Sequence, residues 1–224
     1  MNHAELTGRA RTHIAEVAEP NCLLHRQAVR PFLNLRRAAR ADGIDLTPVS
    51  SFRDFERQLA IWNGKWSGAR PMYAAAGGQL DAAELAPPAR VEAILLWSAL
   101  PGASRHHWGT DVDLVDGNAN AEGYPDKLTR AAFAPGGPFA RLDAWLEINA
   151  PRFGFFRPFQ GVRSGVQAEP WHLSFAPIAE QARQALSPTV LQAALASAPL
   201  AGKEVVLTRL AELHARYVAA IDLP

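Results

Sequence analysis

The sequence predicts an α+β fold, with short strands interleaved irregularly among amphipathic helices. Three observations carry that expectation. Residues 28–41 and 54–66 place apolar side chains three and four apart, residues 111–115 alternate as a strand does, and the chain beyond Pro177 reads as helix throughout. With 224 residues and 48% hydrophobic content, the chain can bury an ample core as one domain, 1–224.

In chain order, the N-terminal part, 1–45, is expected to be helical. Its clearest segment, 28–41, carries Phe32, Leu35 and Ala39 on one face and meets a stop at Gly43. Arg26, Arg30, Arg36, Arg37 and Arg40 recur at helical spacing and read as a solvated face. Residues 44–51 read as a strand. The next helix, 54–66, has Phe55, Leu59, Trp62 and Trp66 four, three and four apart, an aromatic stripe suited to a core. Pro71, Gly77, Gly78, Pro87 and Pro88 punctuate 67–88, which predicts an irregular excursion, either a surface insertion or a rim over a site. Helix returns over 89–100 and Pro101-Gly102 ends it. After strand 111–115, Asp116-Gly117-Asn118 turns the chain. Phe139, Leu142, Leu146 and Asn149 mark a helix, and 154–159 and 171–175 read as strands. The remainder, 176–224, is a helical extension in which Ser187-Pro188 starts a helix and Val206, Leu210, Leu213 and Tyr217 form a buried stripe.

Composition narrows the chemistry. The formal charge is +1 and neither Lys nor Arg forms a long block, which argues against nucleic acid as the partner. Cys22 is the only cysteine, so there is no intrachain disulfide and any metal ligands must be His and carboxylate. The first residues lack the basic start and apolar run of a secretory signal, and no stretch approaches a membrane span. The expected compartment is cytoplasmic for the chain as it stands, and periplasmic or extracellular if the chain is a processed form.

Two stretches hold the chemistry: Ser104-Arg105-His106-His107-Trp108-Gly109-Thr110-Asp111-Val112-Asp113 and Glu169-Pro170-Trp171-His172. They offer two imidazoles and a carboxylate, enough for a three-ligand zinc site with one open position. On a strand, Asp111 and Asp113 share a face while Val112 and Leu114 pack behind it. A carboxylate on that face can meet His106, or its neighbour His107, brought back by a tight turn that Gly109 permits. His172 comes from a neighbouring strand, and Pro170 bars regular pairing, so the chain bends and Glu169 re-enters the site. Zinc held this way lowers the pKa of a bound water to about 7, and Glu169 takes its proton and passes it to the leaving amine. Each residue alone has an ordinary role: Asp113 can cap the turn before Gly117, and Arg53 can pair with Asp54 or Glu56. The joint pattern, Ser-x-His-x-x-Gly-x-x-x-Asp followed by Glu-x-x-His, is much rarer by chance than any one member.

With Ser50-Ser51-Phe52-Arg53 and Gln58 upstream, the chain resembles the M15 zinc metallopeptidases, in particular the VanY-like D-alanyl-D-alanine carboxypeptidase branch. Trp145-Leu146, Asn149-Ala150 and Phe153-Gly154-Phe155 look like the family's segment ahead of the last motif, and the resemblance covers about 46–175. It implies a Hedgehog/DD-peptidase-like fold, a small antiparallel sheet carrying the site. It further implies that His106, Asp113 and His172 bind Zn2+, that Glu169 is the catalytic base, and that Arg53, with Gln58 and Ser104, holds the carboxylate ending a peptidoglycan peptide or muropeptide. Asp111 departs from the family's Ala, and is either a partner of a ligand histidine or a competitor of Asp113. Ser51 and Phe52 stand where the family has Gly and Tyr.

The function expected is therefore removal of a terminal D-amino acid from stem peptides. A D,D-dipeptidase, an L,D-carboxypeptidase or an endopeptidase on muropeptides would use the same chemistry. A catalytically silent zinc-binding module is the alternative of a different class.

Overall fold

In the computed structural model, which describes residues 1–124, 128–161, 163 and 165–224, the chain opens with one helical turn, α1 (His3–Leu6). A hairpin follows, β1 (Ile14–Val17) against β2 (Cys22–His25), and leads directly into α2 (Arg26–Ala41). This corrects the expectation of helix across 1–45. The two four-residue strands are pinned by distant contacts: the His25 amide donates to the Gly109 carbonyl (2.7 Å) and the Phe52 amide to that of Leu23 (3.0 Å). Helix α2 buries Ala28, Phe32, Leu35 and Ala39, and also Arg36, which sequence spacing assigned to the solvated face. The Arg36 guanidinium donates to Leu46 O and Asp45 Oδ1, tying α2 to the next strand.

Strand β3 (Leu46–Ser50) precedes α3 (Phe55–Trp66), whose first turn is capped by Asp54 accepting from the Arg57 amide. The excursion after it holds a small hairpin, β4 (Met72–Tyr73) with β5 (Gln79–Leu80), before α4 (Pro87–Leu95). Helix α4 stops short of residue 100 because nearby carbonyls are taken elsewhere. Leu96 O accepts from the Gln167 amide and Ala99 O from Gln58 Nε2. Then come β6 (Asp111–Asp116), α5 (Arg130–Phe133), α6 (Ala140–Asn149), β7 (Phe155–Phe156) and β8 (His172–Phe175). Strand β7 is two residues long where six were expected, since Pro158 has no amide to continue the ladder. The chain closes with α7 (Ala176–Ala185), α8 (Pro188–Ala196), α9 (Lys203–Thr208), α10 (Leu210–His214) and a π-helical turn, Ala215–Ala219.

The main sheet is antiparallel in the order β3-β6-β8-β7, and it sets Asp111 opposite Ser174 and Asp113 opposite His172. Four polar side chains therefore share one face. Val112, Leu114 and Leu173 point the other way, into a core completed by Phe32 and Leu35 of α2 and Leu142 and Leu146 of α6. A second core joins α3 and α4 to the C-terminal helices through Phe55, Trp62, Ile94, Leu191, Leu210 and Leu213. Among the described residues no helix is long and apolar enough to cross a membrane.

Candidate metal centre and active site

The turn leading into β6 aims the first histidine. Residues Arg105–Trp108 form one 3-10 turn that Gly109 ends in the left-handed region, φ +65°. A Cβ there would lie 2.4 Å from Ile14 Cδ1 and 2.6 Å from the His25 nitrogen. The N-terminal hairpin is thus packed against the loop that carries His106, at its one residue without a side chain. Gly109→Ala is expected to destabilise the protein by more than the roughly 1–2 kcal/mol of left-handed strain alone. Thermal unfolding measures it, and an unchanged Tm would show that the hairpin can move away.

His106 and His107 are adjacent, yet only one reaches the polar face. His107 is fully buried with both ring nitrogens engaged, Nδ1 2.6 Å from Arg53 O and Nε2 accepting from the Gly102 amide at 3.1 Å. Burial pushes its pKa down to about 3, so it is a neutral clamp between loops. His106 points Nε2 at Asp113 Oδ2 (3.3 Å), and His172 points Nδ1 at Asp113 Oδ1 (3.2 Å) and at Glu169 Oε2 (3.2 Å). One donor atom from each of His106, Asp113 and His172 falls within 4.8 Å of the others, a group able to hold a metal ion.

The far sides of both rings fix their tautomers. His106 Nδ1 lies 2.9 Å from the Ser51 carbonyl, which can only accept, so the proton sits on Nδ1 and Nε2 keeps its lone pair. His172 Nε2 lies 2.8 Å from Asp111 Oδ1, which leaves Nδ1 as the nitrogen facing Asp113. Asp111 itself is fully buried and takes further bonds from Arg105 Nε (2.8 Å), Thr110 Oγ1 (2.5 Å) and Ser174 Oγ (3.1 Å). It lies behind His172 and does not compete with Asp113. Burial alone would raise both aspartates' pKa values; Arg105 and His172 around Asp111, and His106 and His172 around Asp113, outweigh it and hold both well below the usual carboxylate range.

The polar face opens on a cleft of about 450 Å3 whose walls include Arg53, Ser104, His106, Asp113, Glu169 and His172. Arg53 is reached through its backbone, whose amide donates to His106 O, and its guanidinium is held by Gln58 Oε1 (2.8 Å) and Ser50 Oγ (3.0 Å). Gln58 is fully buried, with its Nε2 donating to Ala99 O, so its geometry is that of a residue positioning Arg53. Sequence reasoning missed Arg105, Thr110 and Ser174. Ser174 could be found once β6 and β8 are paired, because it is the register partner of Asp111; Arg105 leaves no periodic signal.

A family model described as VanY, D-alanyl-D-alanine carboxypeptidase, matches residues 21–178, more than half of the chain. The chain belongs to the VanY family. It is accordingly a peptidase of the D-alanyl-D-alanine carboxypeptidase type. A Haemophilus influenzae protein is 36% identical over 121 residues, 53% of this chain and 92% of that protein. A D-alanyl-D-alanine carboxypeptidase of Enterococcus faecalis is 33% identical over 152 residues, covering 66% of this chain but 46% of its own length. Among solved structures, VanYB in complex with D-alanine-D-alanine is 25% identical, with a TM-score of 0.51 over 87% of this chain and 88% of that one. A VanY D,D-pentapeptidase variant in complex with Zn(II) shares the fold at 24% identity and a TM-score of 0.52, over 86% and 88% of the two chains. Helices around a small antiparallel sheet are the VanY-type fold that the motifs implied.

Proposed function

We propose that the protein is a zinc-dependent carboxypeptidase that removes the terminal D-amino acid from peptidoglycan stem peptides or their soluble fragments. One observation supports this above all: His106 Nε2 and His172 Nδ1 both turn toward Asp113, whose buried Oδ1 makes no well-formed hydrogen bond among the described residues. A buried carboxylate oxygen without a donor is costly unless a cation completes it. Two imidazoles and a carboxylate suit zinc with one open position, and bound zinc supplies Lewis acidity to a water and a peptide carbonyl.

The chain's own groups do the rest. Arg53 presents the unused N–H donors of its fork to the substrate's terminal carboxylate, its plane set by Gln58 and Ser50. Ser104 lines the same cleft. Glu169 takes a proton from the attacking water as the C–O bond forms and delivers it to the departing amine as the C–N bond breaks. Metal analysis joined to product identification tests the reading. One zinc per chain and release of D-alanine from a pentapeptide ending in D-Ala-D-Ala are expected; hydrolysis of the D-Ala-D-Ala dipeptide alone would make it a dipeptidase.

Metal binding should also depend on pH in a definite sense. Burial disfavours charge on His172, but Asp111, Asp113 and Glu169 outweigh burial and raise its pKa well above the ordinary value in the metal-free protein. For His172 Nδ1 to serve as a ligand, it would have to give up that proton. Affinity is expected to climb about tenfold per pH unit up to the raised pKa and then level off, read by chelator competition. A flat profile would mean that Nδ1 is no ligand. The same proton stabilises the metal-free fold fully below about pH 6.5, and that contribution is lost as pH rises through the raised value.

A further inference from the structure

The cleft holds more positive charge than this chemistry uses. Arg53, Lys65, Arg70 and Arg105 all line it, and among the described residues only Arg105 has an ion pair, with Asp111. Lys65 lies in the last turn of α3, where the helix dipole favours a cation, but the dipole does not require that it be turned into a cleft. Its ammonium makes no hydrogen bond or ion pair among the described residues, and burial pushes its pKa down to about 8 despite the attraction of Glu169. Arg70 follows the end of the helix with its stem laid over Gly64, where a Cβ would come within 3.0 Å of Arg70 Cδ. Its guanidinium likewise has no carboxylate partner among the described residues.

Spacing along α3 sets the scale. Gln58, which holds Arg53, and Lys65 are separated by two helical turns, about 10 Å along the axis. An extended peptide covers that length in about three residues. We infer that Lys65 and Arg70 form a second anion subsite, which takes a free carboxylate carried by the substrate about three residues before its C-terminus. The substrate class is then an acidic peptide, anchored by a carboxylate at each end of the cleft. The inference rests on the reading that Arg53 holds the terminal carboxylate.

The test uses the zinc-loaded enzyme and paired peptides ending in D-Ala-D-Ala, which carry either one carboxylate or the matching carboxamide two to four residues before the terminus. The acid is expected to be favoured about tenfold in kcat/KM, chiefly through KM, the size of one charge-assisted hydrogen bond. Lys65→Gln and Arg70→Gln should each shrink that ratio, and Lys65→Arg should preserve it. The same pairs titrated calorimetrically into zinc-loaded Glu169→Gln read the subsite without turnover. Equal affinity for acid and amide would overturn the inference, as would a Lys65→Gln variant that weakens both peptides equally, because Lys65 would then act only through the field at Glu169. Absence of D-alanine release from every peptide would instead overturn the hydrolytic reading, and the acid-to-amide affinity ratio would still decide the subsite.

Discussion

Glu169→Gln is expected to cut kcat on a D-Ala-D-Ala pentapeptide by about 10²–10⁴-fold, the usual worth of a positioned general base, while zinc stoichiometry stays unchanged. Glutamine keeps the shape of the side chain and its place in the cleft, but it cannot take a proton from water. The carboxylate's Oε2 lies 3.2 Å from His172 Nδ1, so a role as a ligand is the competing assignment. Metal analysis of the variant separates the two roles. Full turnover would remove Glu169 from the chemistry, and lost zinc would make it part of the metal's grip.

Asp111→Ala should do its damage without touching substrate. It removes the acceptor that fixes the His172 tautomer and is expected to weaken zinc binding by about 10–100-fold. It also strands the Arg105 guanidinium, buried and paired to Asp111 at 2.8 Å, which should cost about 3–5 kcal/mol of stability. The two losses can be separated. In the double variant Asp111→Ala/Arg105→Met the stranded charge is gone, so urea unfolding should recover most of the stability while chelator competition still reports weak zinc. If the single variant bound zinc as tightly as the parent protein, the ring would have to be oriented by packing alone.

Much of the site was legible because strand and turn chemistry is local. The alternation of Asp111, Val112 and Asp113 put carboxylates on one face, and Gly109 marked the turn that returns His106 to them. What the spacing left open was settled by side-chain contacts that no periodicity marks. His106 and His107 differ because Ser51 O takes one ring and Arg53 O and the Gly102 amide take the other. Asp111 and Asp113 differ because Arg105 and Ser174 reach only the first. The hairpin at Ile14–His25 escaped notice for the same reason, since its strands are too short to announce themselves and depend on Gly109. Helices with a full apolar stripe, such as Phe55–Trp66, were legible to within a residue.

The C-terminal helices carry a consequence for how the protein can be dissected. Tyr217 and Val218 stand in the wall of the cleft, and Leu191, Leu210 and Leu213 interlock with Trp62 and Phe55 of α3. Cutting the gene at residue 178, where the matched segment stops, would strip one flank from the cleft and leave indole and phenyl surfaces wet. The matched segment and the length of chain that walls the cleft therefore differ, and moving residues 21–178 alone into another scaffold would transplant the candidate ligands without the wall that shelters them.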